Sequence, residues 1–446
     1  MKLTIKNINK IRKAEIKLDG LTVIVGENDT GKSTVGRVLF SAIKSLVNTK
    51  GIGEKTQKDQ LRKFISSYNK RLSSIPYITT TFPVKLGSSR FTSEADQLFL
   101  PRKINEFLEQ INASNIDEFI KVKVDQIDKL VEATPRIKSL LKEDLNAISI
   151  CLRNGANRAA NLYNEFNFIA ESEFLNQLAI NKDGDSIIEI EDDNKIIFQV
   201  HFDVKNSAHC DKKENVADIT YVESPLYLHI LDLINSASLY RETNKKRRSL
   251  FGMVPFHIQD FARKMEDVPT SHQLELFSSS YDVSVEKITG GHFYYDDKRK
   301  SIIFKKDDIE LYPLNVASGI KSFGVMQMLL DGDSISAERP LIWDEPENHL
   351  HPEWQIEFAD ILVQVAKSGV PIVISTHSPY FLQAVRYYAA AHGLEKFVHY
   401  YSANDAGYGK VDMEEITDNL STVFGKLAAP LNKVMNVDAI RKGIQL

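Results

Sequence analysis

The sequence predicts an α/β fold, a mixed central sheet with flanking helices and antiparallel strands at its start, broken by a large and mostly helical insertion. Three observations predict it. Leu21 to Val25 is a short β-branched run that stops at Gly26, turns through polar residues to Gly31 and enters the helix-like VGRVLFSAIKSLV. Leu341 to Trp343 and Pro371 to Ile374 are two more such runs, each followed at once by polar, chemistry-bearing residues. Between the first run and the other two, from Lys50 to about Asn215, the composition is largely helical.

Length and charge bound the rest. The 446 residues are 43% hydrophobic, enough for a large core and for two or three domains. A formal charge of −4, from 56 basic and 60 acidic residues, gives no global attraction to nucleic acid or membrane, so any such contact must be local. Two cysteines, Cys151 and Cys210, cannot build a disulfide framework. No signal peptide and no apolar run of about 18 residues is present, so the expected compartment is the cytoplasm and a membrane-spanning transporter half is excluded within the chain.

Taken in order, Met1 to Gly20 carries two alternating stretches, with Leu3, Ile5 and Ile8 in one and Ala14, Ile16 and Leu18 in the other. They read as a strand pair turning around Asn7 to Lys10, and Asn9 to Lys13 lie where a wall for a nucleotide base could form, a plain sheet edge fitting them equally well. The loop that follows, Gly26, Glu27, Asn28, Asp29, Thr30, Gly31, Lys32, Ser33 and Thr34, has the spacing GxxxxGKS. In such a loop backbone amides and a helix N-terminus face a polyphosphate, the lysine neutralises its outer oxygens, and the serine hydroxyl is placed to hold magnesium.

The insertion shows helical spacing at Ile104, Phe107, Leu108 and Ile111, a capping pattern at Ser114 and Asp117, and a resumed stripe at Ile116, Phe119 and Ile120. Heptads are not sustained, which points to a compact helical subdomain or short arm rather than a long coiled coil. Ser186 to Val200 then reads as a β-hairpin turning at Asp192 to Asn194. His201, His209 and Cys210 lack the paired spacing of a metal site. Positive charge concentrates at Arg241, Lys245, Lys246, Arg247 and Arg248, followed by Arg263 and Lys264. Phosphate tracking, a solvated helix face and an acidic protein partner are equally consistent with such a run. A second hairpin, Phe293 to Tyr295 with Ser301 to Phe304, comes next.

The chemistry is completed downstream. The run Leu341 to Trp343 delivers Asp344 and Glu345 at a strand's carboxyl end, where α/β sheets hold ligands. Asp344 is suited to the magnesium shell and Glu345 to taking a proton from an attacking water. Ser318 and Gly319, in NVASGIK, precede a helix-like run and so sit at an N-terminus able to cap a phosphate. His377 ends the strand Pro371 to Ile374 and is suited to hydrogen-bonding a γ-phosphate.

With these motifs in this order, the chain resembles the ABC-type ATPases of the SMC and RecF-like branch, and especially the bacterial AAA-15 type found in anti-phage systems of the Septu or PARIS kind. The resemblance covers an ABC-type head split into residues 1–48 and 217–401, with an insertion at 49–216 ending in the hairpin and a helical tail at 402–446 that holds Asp412, Glu414 and Glu415. It implies ATP and Mg2+ as cofactors and a composite site, with Lys32, Ser33, Asp344, Glu345 and His377 of one subunit facing Ser318 and Gly319 of another. It also implies a homodimer or higher homo-oligomer, hydrolysis of ATP, and control of a separate nuclease or toxin. Related nucleases append a Toprim domain, for which the stretch after His377 is too short. Alternatives carried by the same resemblance are a DNA repair or recombination ATPase that clamps DNA through Arg241 to Arg248, and an ATP-locked scaffold with little turnover. Two departures stand out. ASGIK, with Lys321, replaces the usual signature, and no Q-loop glutamine can be placed, leaving Glu223 in YVESP as the candidate for nucleotide sensing.

Overall fold

The computed structural model describes residues 1–73, 75, 100, 111, 116–130, 133–156, 158–175, 177–180, 186–202, 207–209, 216–231, 233–234, 254–270, 285–296, 298–299, 301–421, 423–425 and 427. The chain divides into two compact units, one made of Met1–Val47 with Phe166–Leu446 and the other of Asn48–Glu165. The basic run Arg241 to Arg248, Cys210, and the insertion residues Ile104, Phe107, Leu108 and Ser114 lie outside the described residues.

The first unit is built on an eleven-stranded sheet. Its strands are β1 (Lys2–Ile8), β2 (Ile11–Lys17), β3 (Leu21–Val25), β4 (Ser186–Asp192), β5 (Lys195–Phe202), β6 (Ser207–His209), β7 (Thr220–Val222), β11 (Leu341–Asp344), β12 (Ile372–Thr376), β13 (Val398–Gly407) and β14 (Lys410–Glu415), in the order β6-β5-β4-β1-β2-β14-β13-β3-β12-β11-β7. Neighbours from β13 to β7 are parallel, and β6 to β2 are antiparallel. The side-chain pattern follows this division. β3, β7 and β12 are buried at every residue, as strands covered on both faces must be. β1 and β2 instead alternate, burying Leu3, Ile5, Ala14 and Ile16 and turning Lys6, Lys13 and Glu15 outward.

Helices flank the sheet: the start of α1 (Lys32–Ser73), the end of α4 (Arg158–Glu173), α5 (Phe256–Lys264), α7 (Ser318–Asp331), α8 (Pro352–Lys367) and α9 (Pro379–Ala391). Phe323 and Trp343 both meet the ring of Phe358 edge-on at 5.1 Å, which locks α7, α8 and β11 together. A short helix α6 (Glu286–Thr289) leads into a separate three-stranded sheet, β8 (His292–Asp296), β9 (Ser301–Lys306) and β10 (Ile309–Leu311), whose first two strands are the second hairpin.

Two placements differ from the expectation drawn from sequence. The hairpin β4–β5, grouped there with the insertion, belongs to the main sheet: β4 pairs antiparallel with β1, setting Ile190 opposite Leu3 and Ile188 opposite Ile5. An edge strand with a matching apolar alternation captured it. Asp412, Glu414 and Glu415, expected in a helical tail, lie on strand β14. Left-handed backbone at Gly407, Tyr408 and Gly409 folds the chain back on β13, burying Val411 and Met413 while Asp412 meets Arg12 Nε at 2.8 Å.

The second unit is helical among its described residues: the remainder of α1, α2 (Ile116–Asp128), α3 (Pro135–Ala156) and the start of α4. Leu61, Ile65, Tyr68 and Leu72 recur on one face of α1 and pack with Ile127, Leu141, Leu145 and Ile148.

Candidate functional site

The phosphate-loop motif lies between β3 and α1, at the carboxyl end of a strand flanked by β13 and β12. The loop turns through left-handed backbone at Asp29 and Gly31, with φ of 65° and 84°, a geometry that gathers successive amides on one side. Gly26 is closely approached: a Cβ there would lie 2.9 Å from the Thr30 hydroxyl oxygen, which donates to the Glu27 carbonyl at 2.7 Å. Lys32 is buried, and its ammonium donates to the carbonyls of Gly26 (2.9 Å) and Glu27 (2.7 Å). Burial lowers the pKa of Lys32, partly opposed by the carboxylates of Glu345, Asp344 and Glu347.

A cavity of about 710 Å³ opens over this loop. Asn28 to Thr34 form its floor, and Asn9, Lys10, Ala179 and Glu345 complete the lining. Asn9 grips Ala179 through two hydrogen bonds, accepting from its amide at 2.6 Å and donating to its carbonyl at 2.8 Å. Lys10 is ion-paired to Asp29. The β1–β2 turn therefore stands beside the phosphate loop, where the base wall is expected.

The acidic pair ends β11. Both oxygens of Asp344 are engaged: the Ser375 hydroxyl donates to Oδ1, and the Tyr221 hydroxyl donates to Oδ2 at 3.2 Å. Glu345 has left-handed backbone, φ 48°, directly before Pro346, a conformation that costs energy and must be held by its surroundings. It is held by its amide, which donates to the Ser375 carbonyl and hydroxyl, both at 3.1 Å. Its carboxylate accepts from Asn348 at 2.8 Å on Oε2, and His377 Nδ1 stands 3.1 Å from Oε1. Strand β12 thus delivers Ser375 and His377 to the two carboxylates of its neighbour β11.

Glu347 went unread in the sequence, yet it is the anchor of this corner. It is buried and accepts from the Thr376 hydroxyl (2.5 Å), the His377 amide (3.1 Å) and the Ser378 amide (3.3 Å). Burial raises its pKa, against the lowering effect of these donors. Ser375 and Tyr221 were missed as well. Ser375 stands inside the STHS that ends β12, whereas Tyr221, two residues before Glu223, carries no local signal.

The structure does not bring Ser318 and Gly319 into the cavity; neither lines it. Ser318 is the first helical residue of α7, and a Cβ at Gly319 would lie 2.6 Å from the Trp354 ring, so only glycine lets α7 dock there. Lys321 is buried with its ammonium against His229 Nε2. Glu223 is tied to Arg37 at 3.2 Å and to His257 at 2.9 Å.

The residues present suit a nucleotide with magnesium. Ser33 and Asp344 supply a hydroxyl and a carboxylate, both hard oxygen donors. No group of three or more His, Cys, Asp or Glu able to hold a metal occurs among the described residues. No described helix is long and apolar enough to cross a membrane.

No curated protein sequence matches the chain. Solved structures that resemble it include an SMC head domain from Thermotoga maritima, at 11% identity and TM-score 0.35, covering 93% of this chain and 97% of that one. An SMC head bound to the C-terminal winged-helix domain of ScpA gives 10% identity and TM-score 0.39 over 94% and 98% of the two chains. An SMC head with an extended coiled coil, bound to the C-terminal domain of ScpA derived from Pyrococcus furiosus, gives 10% and 0.32 over 99% and 98%. Superpositions this loose say nothing about what the chain binds. The family signal is of another order, running from the first strand through the start of α9: matched over residues 1–382, the chain belongs to the AAA_15 family of AAA ATPase domains.

Proposed function

We propose that the chain binds Mg-ATP over the Gly26–Thr34 loop, hydrolyses it, and assembles as a dimer or higher oligomer in which Ser318 and Gly319 of a second copy complete the site. The observation that carries the reading is the 3.1 Å approach of His377 to Glu345, which lines a cavity floored by Lys32 and Ser33. Glu345 takes the proton of a water attacking the γ-phosphorus in line. His377 orients Glu345 and donates to the γ-phosphate. Lys32 exchanges its loop carbonyls for phosphate oxygens, and Ser33 and Asp344 hold the metal. Magnesium, when bound, neutralises the charge that builds on the phosphate oxygens.

The biological role we propose is that of a cytoplasmic ATPase subunit which holds or releases a separate nuclease or toxin in anti-phage defence. Support comes from the family and from the motif order. The test uses Glu345→Gln protein locked with Mg-ATP and co-expressed with the products of adjacent genes. Nucleotide-dependent co-purification of one of them is expected; in protein that keeps Glu345, reversal of charge at Arg241, Lys245, Lys246, Arg247 and Arg248 should leave ATPase activity and assembly intact. Tight duplex binding by the isolated protein at physiological salt, rising with ATP and abolished by that reversal, with no co-purifying product, favours DNA clamping instead.

A further inference from the structure

Behind Asp344 lies a chain of buried polar side chains that the reaction as described does not use. Tyr221, in the middle of β7 and 1% exposed, donates its hydroxyl to Asp344 Oδ2 at 3.2 Å. The ring of His257, from the first turn of α5 and also 1% exposed, is stacked on the Tyr221 ring, with centroids 4.5 Å apart and planes 24° apart. Each nitrogen of that imidazole faces a carboxylate: Nδ1 lies 2.7 Å from Glu173 Oε2, and Nε2 lies 2.9 Å from Glu223 Oε2. The His257 amide also donates to Glu173, at 2.7 Å. A neutral ring would set a lone pair against one carboxylate, so this arrangement calls for both N–H donors and a positive ring.

The clamp reaches the other side of the site as well. Arg37, four residues after Ser33 and so on the same face of α1, donates to Glu223 at 3.2 Å, and Tyr227 donates to the same carboxylate at 2.8 Å. Glu223 and His257 therefore connect the helix that carries Ser33 with the strand that carries Asp344. The Tyr221 ring, stacked on His257 and met edge-on by Phe40 at 6.1 Å, is held in one position, and from there its hydroxyl donates to Asp344 with the Arg37 guanidinium also bonded to it.

We propose that Tyr221, held in place by His257, is a positioning residue for magnesium: it fixes the Asp344 carboxylate in the orientation that accepts the metal. The proposal rests on the reading of Asp344 as a magnesium ligand. Tyr221 touches neither metal nor nucleotide, so its removal should disturb the metal requirement and leave metal-free nucleotide binding alone.

The experiment measures binding of a fluorescent ATP analogue to Glu345→Gln protein, in EDTA and across a magnesium titration, together with the melting temperature of each variant. Asp344→Asn is the control for the underlying reading. Tyr221→Phe should keep the EDTA affinity and raise the half-saturating magnesium concentration roughly tenfold, the scale of one hydrogen bond to a charged acceptor. Should Tyr221→Phe not fold, His257→Gln, which leaves the hydroxyl but frees the ring, carries the same expectation. If Asp344→Asn shifts the magnesium requirement and a well-folded Tyr221 or His257 variant does not, the proposal is wrong. If Asp344→Asn itself shifts nothing, the metal-ligand reading has failed first.

Discussion

His377 Nδ1 stands 3.1 Å from Glu345 Oε1, the first residue after β12 against the first residue after its neighbour β11. The contact joins the group suited to accept a proton from water with the group suited to report a γ-phosphate, before any nucleotide is considered. Glu345→Gln should accordingly retain Mg-ATP binding and lose hydrolysis by on the order of a hundredfold or more, as removal of a general base does. His377→Ala should lower turnover with a smaller effect on affinity. Steady-state hydrolysis and equilibrium binding on the same preparations separate the two, and unchanged turnover in Glu345→Gln would remove Glu345 from the role.

Glu347 organises the backbone that presents His377. Its carboxylate satisfies one hydroxyl and two amides, so Glu347→Ala leaves the Thr376 hydroxyl and the His377 amide without their acceptor, while the Ser378 amide keeps the Thr376 hydroxyl oxygen at 3.1 Å. A destabilisation of roughly 3 kcal/mol is expected from groups of this kind, together with lower turnover. Chemical denaturation reads the first and hydrolysis by the surviving folded protein reads the second; a variant as stable and as active as the parent would count against this account.

Ser318 does not line the cavity of its own chain, so its part in hydrolysis should be played in a second copy. Lys32→Ala and Ser318→Arg proteins should each be inactive alone. Mixed, they should recover partial activity, since a mixed dimer carries one intact composite site. Mixed dimers proven by differential tags, yet without any recovered activity, would argue against a shared site.

The clamp around His257 also predicts how stability changes with pH. Burial works against a charged ring, but hydrogen bonds to Glu173 and Glu223 hold the His257 pKa up at about 9, against 6.5 for an exposed histidine. A raised pKa means a contribution fully present below about pH 6.5 and lost as pH rises through about 9. At about 1.4 kcal/mol per pH unit this is worth about 3 kcal/mol. Glu223 has the opposite sense. Burial opposes its charge, yet His257, Tyr227 and Arg37 hold its pKa down to about 2, so its contribution is lost only as pH falls from 4.5 toward that value. Melting temperature should therefore fall from pH 6.5 to 9 in the parent and stay comparatively flat in His257→Gln. Parallel curves for the two proteins would show that the ring is not charged in the folded state.

Much of the site is legible in the chain because its parts are local. A β-branched run, a turn and a helix start are decided by a few consecutive residues, and Leu21 to Thr34, Leu341 to Glu345 and Pro371 to His377 each announce a strand with polar chemistry at its end. The structure has β3, β11 and β12 at those places. The two hairpins and the opening strand pair are legible for the same reason, since alternation and turn residues act over short distances.

By itself, then, the sequence determined which segments become strands and helices and which side chains stand at strand ends, because backbone geometry and burial periodicity are properties of neighbours in the chain. Only the tertiary structure decided which strands meet. It set β3 between β12 and β13, carried the hairpin β4–β5 onto β1, and made a strand of the segment holding Asp412, because apolar faces and open sheet edges pair by fit and not by sequence distance. It alone also decided that His257 lies between Glu173 and Glu223, residues 84 and 34 positions away. A charge of that kind is tolerated inside a protein only when partners reach it from elsewhere in the fold, and nothing near His257 in the chain records where those partners come from.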